Sequence, residues 1–107
     1  MTCPQRTTIG ICETQLVTAA GVRAVLNGCQ DLEFCWSVST LDEGVQMARQ
    51  RPPHVLLADK SMGVNGLLHW ILNLRATTAP TAVVVWGSSV TEAEALRFVQ
   101  AGAKGVV

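Results

Sequence analysis

Short apolar runs alternate along the chain with stretches of helical spacing. Thr8-Ile9-Gly10-Ile11-Cys12 predicts a first strand, and the spacing over 15–26 predicts a helix stopped at Asn27-Gly28, a C-cap pair. Residues 32–38 alternate strictly, with Leu32, Phe34, Trp36 and Val38 on one face, which predicts a half-buried strand at a sheet edge. Thr40-Leu41-Asp42-Glu43 reads as a capping box opening a second helix, with Leu41, Val45 and Ala48 as its buried stripe and Arg51-Pro52-Pro53 as its end. Val55-Leu56-Leu57-Ala58 is continuously apolar, as in a central parallel strand covered on both faces, and stops at Asp59. Gly63-Val64-Asn65-Gly66 reads as a turn before a third helix over 67–75. Pro80 introduces a second central strand, Ala82-Val83-Val84-Val85-Trp86, which Gly87-Ser88-Ser89 breaks. Thr91-Glu92-Ala93-Glu94 is a second capping box, opening a helix to Ala101 with Gly102 as its stop, and Gly105-Val106-Val107 begins a fifth strand.

Strand–helix units in this succession imply an α/β, doubly wound parallel sheet with helices on both faces and right-handed crossovers. With the alternating strand at an edge, the expected order is 2-1-3-4-5. Ligands of such sheets bind outside the carboxyl ends of the strands, where the order reverses, here between strands 1 and 3. The residues expected there are Cys12 and Glu13, Asp59 to Ser61, and Gly87 to Ser89.

Composition narrows the class. A chain of 107 residues holds one domain, and 49% hydrophobic residues excludes a disordered one. Eight basic against eight acidic residues give no net charge, which removes the footprint of a stand-alone nucleic-acid binder. No apolar stretch is long enough to cross a bilayer, and the first residues carry no secretory h-region, so a cytoplasmic protein without membrane partners is expected. Cys3, Cys12, Cys29 and Cys35 form no Cys-x-x-Cys pair and lie far from His54 and His69, so free thiols are expected rather than zinc.

Asp59 carries the candidate chemistry. An acid closing a run of four apolar residues is costly to bury unpaired, and its carboxylate can serve as a nucleophile in aspartyl-phosphate formation. Glu13 across the crevice would make with it a hard-oxygen site suited to Mg²⁺. The plainer reading is that Asp59 caps the following loop or helix. Cys12 raises a redox reading, but the neighbouring acids would suppress its thiolate, and a small structural residue is the simpler account. Nothing resembles a phosphate-binding glycine loop, and neither histidine falls near the crevice to act as a base, so an enzyme is not expected.

The stretches Ile9 to Leu26, Pro53 to Met62 (Pro-His-Val-Leu-Leu-Ala-Asp-Lys-Ser-Met) and Val83 to Gly105, with its Ala-Gly-Ala-Lys-Gly ending, resemble response-regulator receiver domains of NarL/FixJ-type transcription regulators. The resemblance spans nearly the whole chain in the right order. It implies a flavodoxin-like domain that accepts a phosphoryl group from a histidine kinase, with Asp59 as phosphoacceptor. Glu13 matches the acid that holds Mg²⁺ directly, and Ser61 the position whose backbone carbonyl completes the metal site.

The chain departs from the family pattern at several of these positions. The first acid of the usual pair is Cys12, the phosphorylation loop lacks its proline at Met62-Gly63, the switch hydroxyl position is Gly87 with Ser88 beside it, and the switch aromatic is Val106. The family lysine would fall just past Val107. Phosphoryl transfer rests on positioning and charge neutralisation, so these losses predict a degenerate pocket, with Mg²⁺ held weakly or not at all. The resemblance also implies that strand 5 and a fifth helix continue beyond this chain, and that DNA is contacted only through a C-terminal helix-turn-helix domain outside it. Missing helical cover would expose apolar surface and favour a homodimer or other self-association. The alternative function is a phosphorylation-independent pseudo-receiver acting by protein–protein contact. The third helix, apolar nearly all round with His69 and Asn73 on one side, is expected to pack on the sheet or to offer a partner surface.

Overall fold

The structure, a computed structural model, describes residues 6–77 and 81–107, with only the backbone of Thr77. Cys3 and Pro80, assigned above to a free thiol and a strand entry, lie outside the described residues. Five parallel strands, β1 (Thr7–Cys12), β2 (Leu32–Val38), β3 (Val55–Asp59), β4 (Ala82–Trp86) and β5 (Gly105–Val106), form one sheet in the order β2-β1-β3-β4-β5. Between them run α1 (Leu16–Asn27), α2 (Leu41–Gln50), a 3₁₀ turn (Lys60–Met62), α3 (Val64–Thr77) and α4 (Glu92–Ala101). This is the expected doubly wound, flavodoxin-like arrangement, with the alternating strand β2 at an edge.

Two apolar clusters hold the layers together. Leu56, Ala58, Val83 and Val85 present one face of β3 and β4 to Leu67, Trp70, Ile71 and Leu74 of α3 and to Phe98 of α4. On the other face Ile9, Ile11 and Leu26 pack with Val22, Phe34, Val55 and Leu57 beneath α1. The continuous apolar run of β3 follows from this double coverage, since both faces of a central parallel strand leave water, whereas β4 buries fully only Val83 and Val85 on the α3 side. Leu16, Val17 and Val25 of α1 stay largely exposed. On α3, Trp70 and Leu74 turn inward and His69 and Asn73 outward, so the helix packs on the sheet along one face.

The alternation in β2 does not place all four apolar residues on one face. The register against β1 runs Ile9↔Phe34 and then Gly10↔Trp36, so Cys35 is an extra residue and a bulge reverses the strand. Leu32 and Phe34 therefore join the α1-side cluster, whereas Trp36 and Val38 join the opposite one. Trp36 fills the space beside Gly10, where a Cβ would lie 3.0 Å from its Cζ2, and donates its indole N–H to the Arg51 carbonyl at 2.9 Å.

The starts of α2 and α4 follow the capping rules, whereas α1 begins after Gln15 without a side-chain cap and its C-cap, Gly28, has φ −82°, not left-handed. Thr91 accepts from the Glu94 N–H at 3.1 Å while Glu94 Oε1 accepts from the Thr91 N–H at 3.0 Å, a complete capping box. Thr40 makes only half of one: it accepts from the Glu43 N–H, but the Glu43 carboxylate turns to the Thr40 hydroxyl. We expect Thr91→Ala to lower the unfolding free energy by about 1 kcal/mol, read by urea denaturation. An unchanged midpoint would show that the first turn of α4 is held by something else. Helix α3 begins at Val64 rather than Leu67, because the turn is completed by Gly63 alone, at φ 103°.

Candidate functional site

The chemistry converges at the carboxyl ends of β1 and β3. Cys12 pairs in register with Ala58, so Glu13 and Asp59, the next residue of each strand, come level at the point where the strand order reverses. Asp59 caps the 3₁₀ turn, its Oδ1 accepting from the Ser61 N–H at 2.8 Å. The capping reading of Asp59 is therefore correct in geometry. Glu13 is 1% exposed; its Oε1 accepts from the Gln15 N–H at 3.1 Å, and its Oε2 has no donor among the described residues.

These two carboxyls titrate as a pair. Burial, and then the hydrogen bond shared with Asp59, push Glu13 up to about 7. Burial also opposes ionisation of Asp59, but hydrogen bonds from the Glu13 carboxyl and from the Ser61 N–H and hydroxyl outweigh it and hold Asp59 below its ordinary value. At low pH a proton on Glu13 bridges the pair. At higher pH two negative charges share one pocket, the situation that a divalent cation relieves. The orphaned Oε2 of Glu13, beside the Asp59 carboxylate, fits a hard cation that keeps most of its water, as Mg²⁺ does. Among the described residues no cluster of three or more metal-ligating side chains surrounds them.

Cys12 lies elsewhere than the crevice reading placed it. The residue is fully buried, and a Cβ on Gly44 of α2 would stand 2.8 Å from its Sγ, so the thiol points into the core beneath α2. Burial, and then the charge of Glu43, push the thiol up to about 12. A protonated, enclosed thiol is no redox sensor, and Cys12 contributes packing here.

At the end of β4, Trp86 is the register partner of Asp59, and its buried indole N–H has no acceptor among the described residues. Gly87 follows, half-buried, with Ser88 exposed beyond it. Val106, half-buried in β5, pairs with Val85 and packs against the larger core cluster. Ser61 is exposed and, with Thr14, Thr40, Asp42 and Met62, lines a shallow depression of about 390 Å³ beside the two carboxyls. Lys60 lies within the run expected at the crevice, but the sequence assigned it no role. Its ammonium donates to the Ser89 carbonyl at 2.6 Å and pairs with Glu94 Oε1 at 2.7 Å, joining the turn after β3 to the start of α4. Its position next to Asp59 was the available signal; its partners lie 29 or more residues away.

Neither a protein-family model nor a curated protein sequence matches this chain. Solved structures do match in fold. The signal receiver domain of the putative response regulator NarL from Mycobacterium tuberculosis superposes with a TM-score of 0.87 at 18% identity, over 96% of this chain and 83% of that one. The response regulator domain of Thermotoga maritima CheB gives 0.81 at 18%, over 96% and 78%. RcsB from Salmonella enterica serovar Typhimurium, bound to promoter P1flhDC in the presence of phosphomimetic BeF3-, gives 0.83 at 14%, over 96% and 52%. The chain has the fold of response-regulator receiver domains. No helix among the described residues is long and apolar enough to cross a membrane.

Proposed function

We propose that this chain is the receiver domain of a two-component response regulator, with Asp59 as phosphoacceptor in a reduced pocket. The observation that supports this most is the Glu13–Asp59 pair, one carboxyl buried and without a donor, the other ionised, at the switch point of a receiver fold. Asp59, held ionised by Ser61, supplies the oxygen that attacks phosphorus. The new O–P bond forms as the bond from phosphorus to the donor's imidazole nitrogen breaks; the ring, already protonated on its other nitrogen, takes the bonding pair and leaves as neutral imidazole. Glu13, Asp59 and the Ser61 carbonyl are the groups to hold Mg²⁺, which when bound neutralises charge on the phosphoryl oxygens. Glutamate at position 13 places its carboxylate roughly 1.5 Å further out than aspartate does, and the Cys12 side chain adds no acid, so metal affinity and transfer are weakened rather than abolished. A histidine kinase is the proposed donor. Any effect on transcription runs through a DNA-binding domain outside this chain, and the exposed Leu16, Val17 and Val25 of α1 favour self-association.

The alternative is a phosphorylation-independent interaction module. The observation in its favour is that Cys12 is committed to the core and Val106 to the sheet, which removes one acid and the ring on which the usual switch depends.

One experiment separates the two readings. Incubated with Mg²⁺ and acetyl phosphate, the chain is expected to form a partial, slowly accumulating adduct by intact mass, absent from Asp59→Asn. No adduct at all, with the fold intact, favours the interaction module. Rapid stoichiometric modification would show that the pocket is not reduced.

A further inference from the structure

Lys60 has an arrangement that neither fold nor pocket requires. Its stem crosses the end of β4 through a gap that Gly87 keeps open: a Cβ there would lie 3.1 Å from the Lys60 Cβ, a few tenths of an ångström closer than an ordinary contact. Beyond that gap the ammonium meets the Ser89 carbonyl and Glu94, with the two charged side chains only 21% and 24% exposed. Glu94 Oε1 also accepts the Thr91 N–H of the capping box. The hydrogen bond from Lys60, and then that from Thr91, hold the Glu94 carboxyl below its ordinary value. One oxygen thus fixes both the first turn of α4 and the tip of Lys60. The backbone of Lys60, meanwhile, belongs to the turn that Asp59 caps.

We propose that Lys60 is a charge-responsive latch. It ties the β4–α4 loop and the first turn of α4 to the crevice, and negative charge added at Asp59 draws its ammonium away from Glu94 and frees that turn. The sensing half rests on the reading of Asp59 as phosphoacceptor; the tying half does not. Lysine suits the role because its compact charge sits on a flexible four-carbon stem that can exchange one anion for another. The latch supplies a route from the crevice to α4 in a chain that has Gly87 and Val106 where the hydroxyl and the ring would act. Lys60 is in this sense a positioning residue: it acts through Glu94 and Ser89.

The test is amide hydrogen exchange of the full chain, followed over residues 88–96, with Mg²⁺ alone and with Mg²⁺ plus beryllofluoride. Binding at Asp59 is monitored separately by ¹⁹F NMR, and cooperative thermal unfolding confirms the fold of each variant. With Mg²⁺ alone, exchange over 88–96 is expected to be about tenfold faster in Lys60→Met and Glu94→Gln than in the wild type, and close to wild type in Lys60→Arg. Beryllofluoride should speed exchange in the wild type and in Lys60→Arg by a similar factor, and add nothing in Lys60→Met. Equal exchange in wild type and Lys60→Met overturns the latch. A bound ¹⁹F signal without faster exchange in the wild type overturns the sensing half and spares the Asp59 reading. No bound ¹⁹F signal overturns that reading and the sensing half with it, while the comparison without beryllofluoride still decides the tie.

Discussion

Raising the pH from 4.5 to 7 is expected to lower the unfolding free energy of this domain by on the order of 3 kcal/mol as the Glu13 carboxyl, paired with Asp59, gives up its proton. That carboxyl titrates at about 7 when folded against an ordinary 4.5, so across that window the native state keeps a proton the unfolded chain has released. Stability must then fall as pH rises, at about 1.4 kcal/mol per unit of displacement. Below 4.5 both states are protonated and Glu13 contributes nothing further; above about 7 both are ionised and the loss is complete. Asp59 acts with the opposite sign, since its folded carboxyl titrates below the ordinary 3.8, and its contribution is lost only on acidification beneath that value. Urea denaturation at half-unit pH steps measures the profile, and Glu13→Gln should flatten it. An equally steep decline in Glu13→Gln would assign the effect to other groups. If Glu13 and Asp59 hold Mg²⁺ as proposed, the ion competes with the proton on Glu13, and its stabilising effect should be larger at pH 8 than at pH 5.

Gly44→Ala tests whether the core has claimed position 12. In an exposed helix this substitution gains up to about 1 kcal/mol from propensity, as expected at Gly21 of α1, where a Cβ meets nothing within 4 Å. At Gly44 the new methyl would stand 2.8 Å from Cys12 Sγ and 3.2 Å from Trp70 Cζ2. Trp70 is not free to yield, because its indole N–H is bonded to the Leu41 carbonyl at 3.0 Å. Overpacking outweighs propensity here, and a net loss of about 2 kcal/mol is expected. Adding Cys12→Ala should recover most of it, with a coupling of about 1 kcal/mol or more between the two sites. Strict additivity in that cycle would mean that the thiol and α2 do not press on each other.

The order of elements was legible because each signal was local. Thr91 and Glu94 announce the start of α4, Gly102 its end, and the unbroken apolar runs of β3 and β4 their place at the centre of the sheet. Asp59 stood out for the same reason, as a charge closing an apolar run. The misses required a partner that no local window contains. Alternation over 32–38 assumes a uniform pleat, and only the register against β1 reveals that Cys35 is extra. The burial of Cys12 depends on a glycine more than thirty residues later letting α2 approach. Lys60 fell inside the run expected at the crevice but without a role, because Ser89 and Glu94 come beside it only once β3 and β4 are paired. The early start of α3 was a matter of turn economy: one glycine at positive φ, Gly63, does what a four-residue turn was expected to do.

Trp86 has a practical consequence. The chain's other two indoles, Trp36 and Trp70, are locked in the core by hydrogen bonds to Arg51 and Leu41, whereas Trp86 is the ladder neighbour of Asp59. With Trp36 and Trp70 replaced by phenylalanine, the remaining emission comes from one residue beside the crevice. The domain thus carries its own optical gauge, through which the proposed cation or phosphoryl occupancy would be titrated without attaching a label.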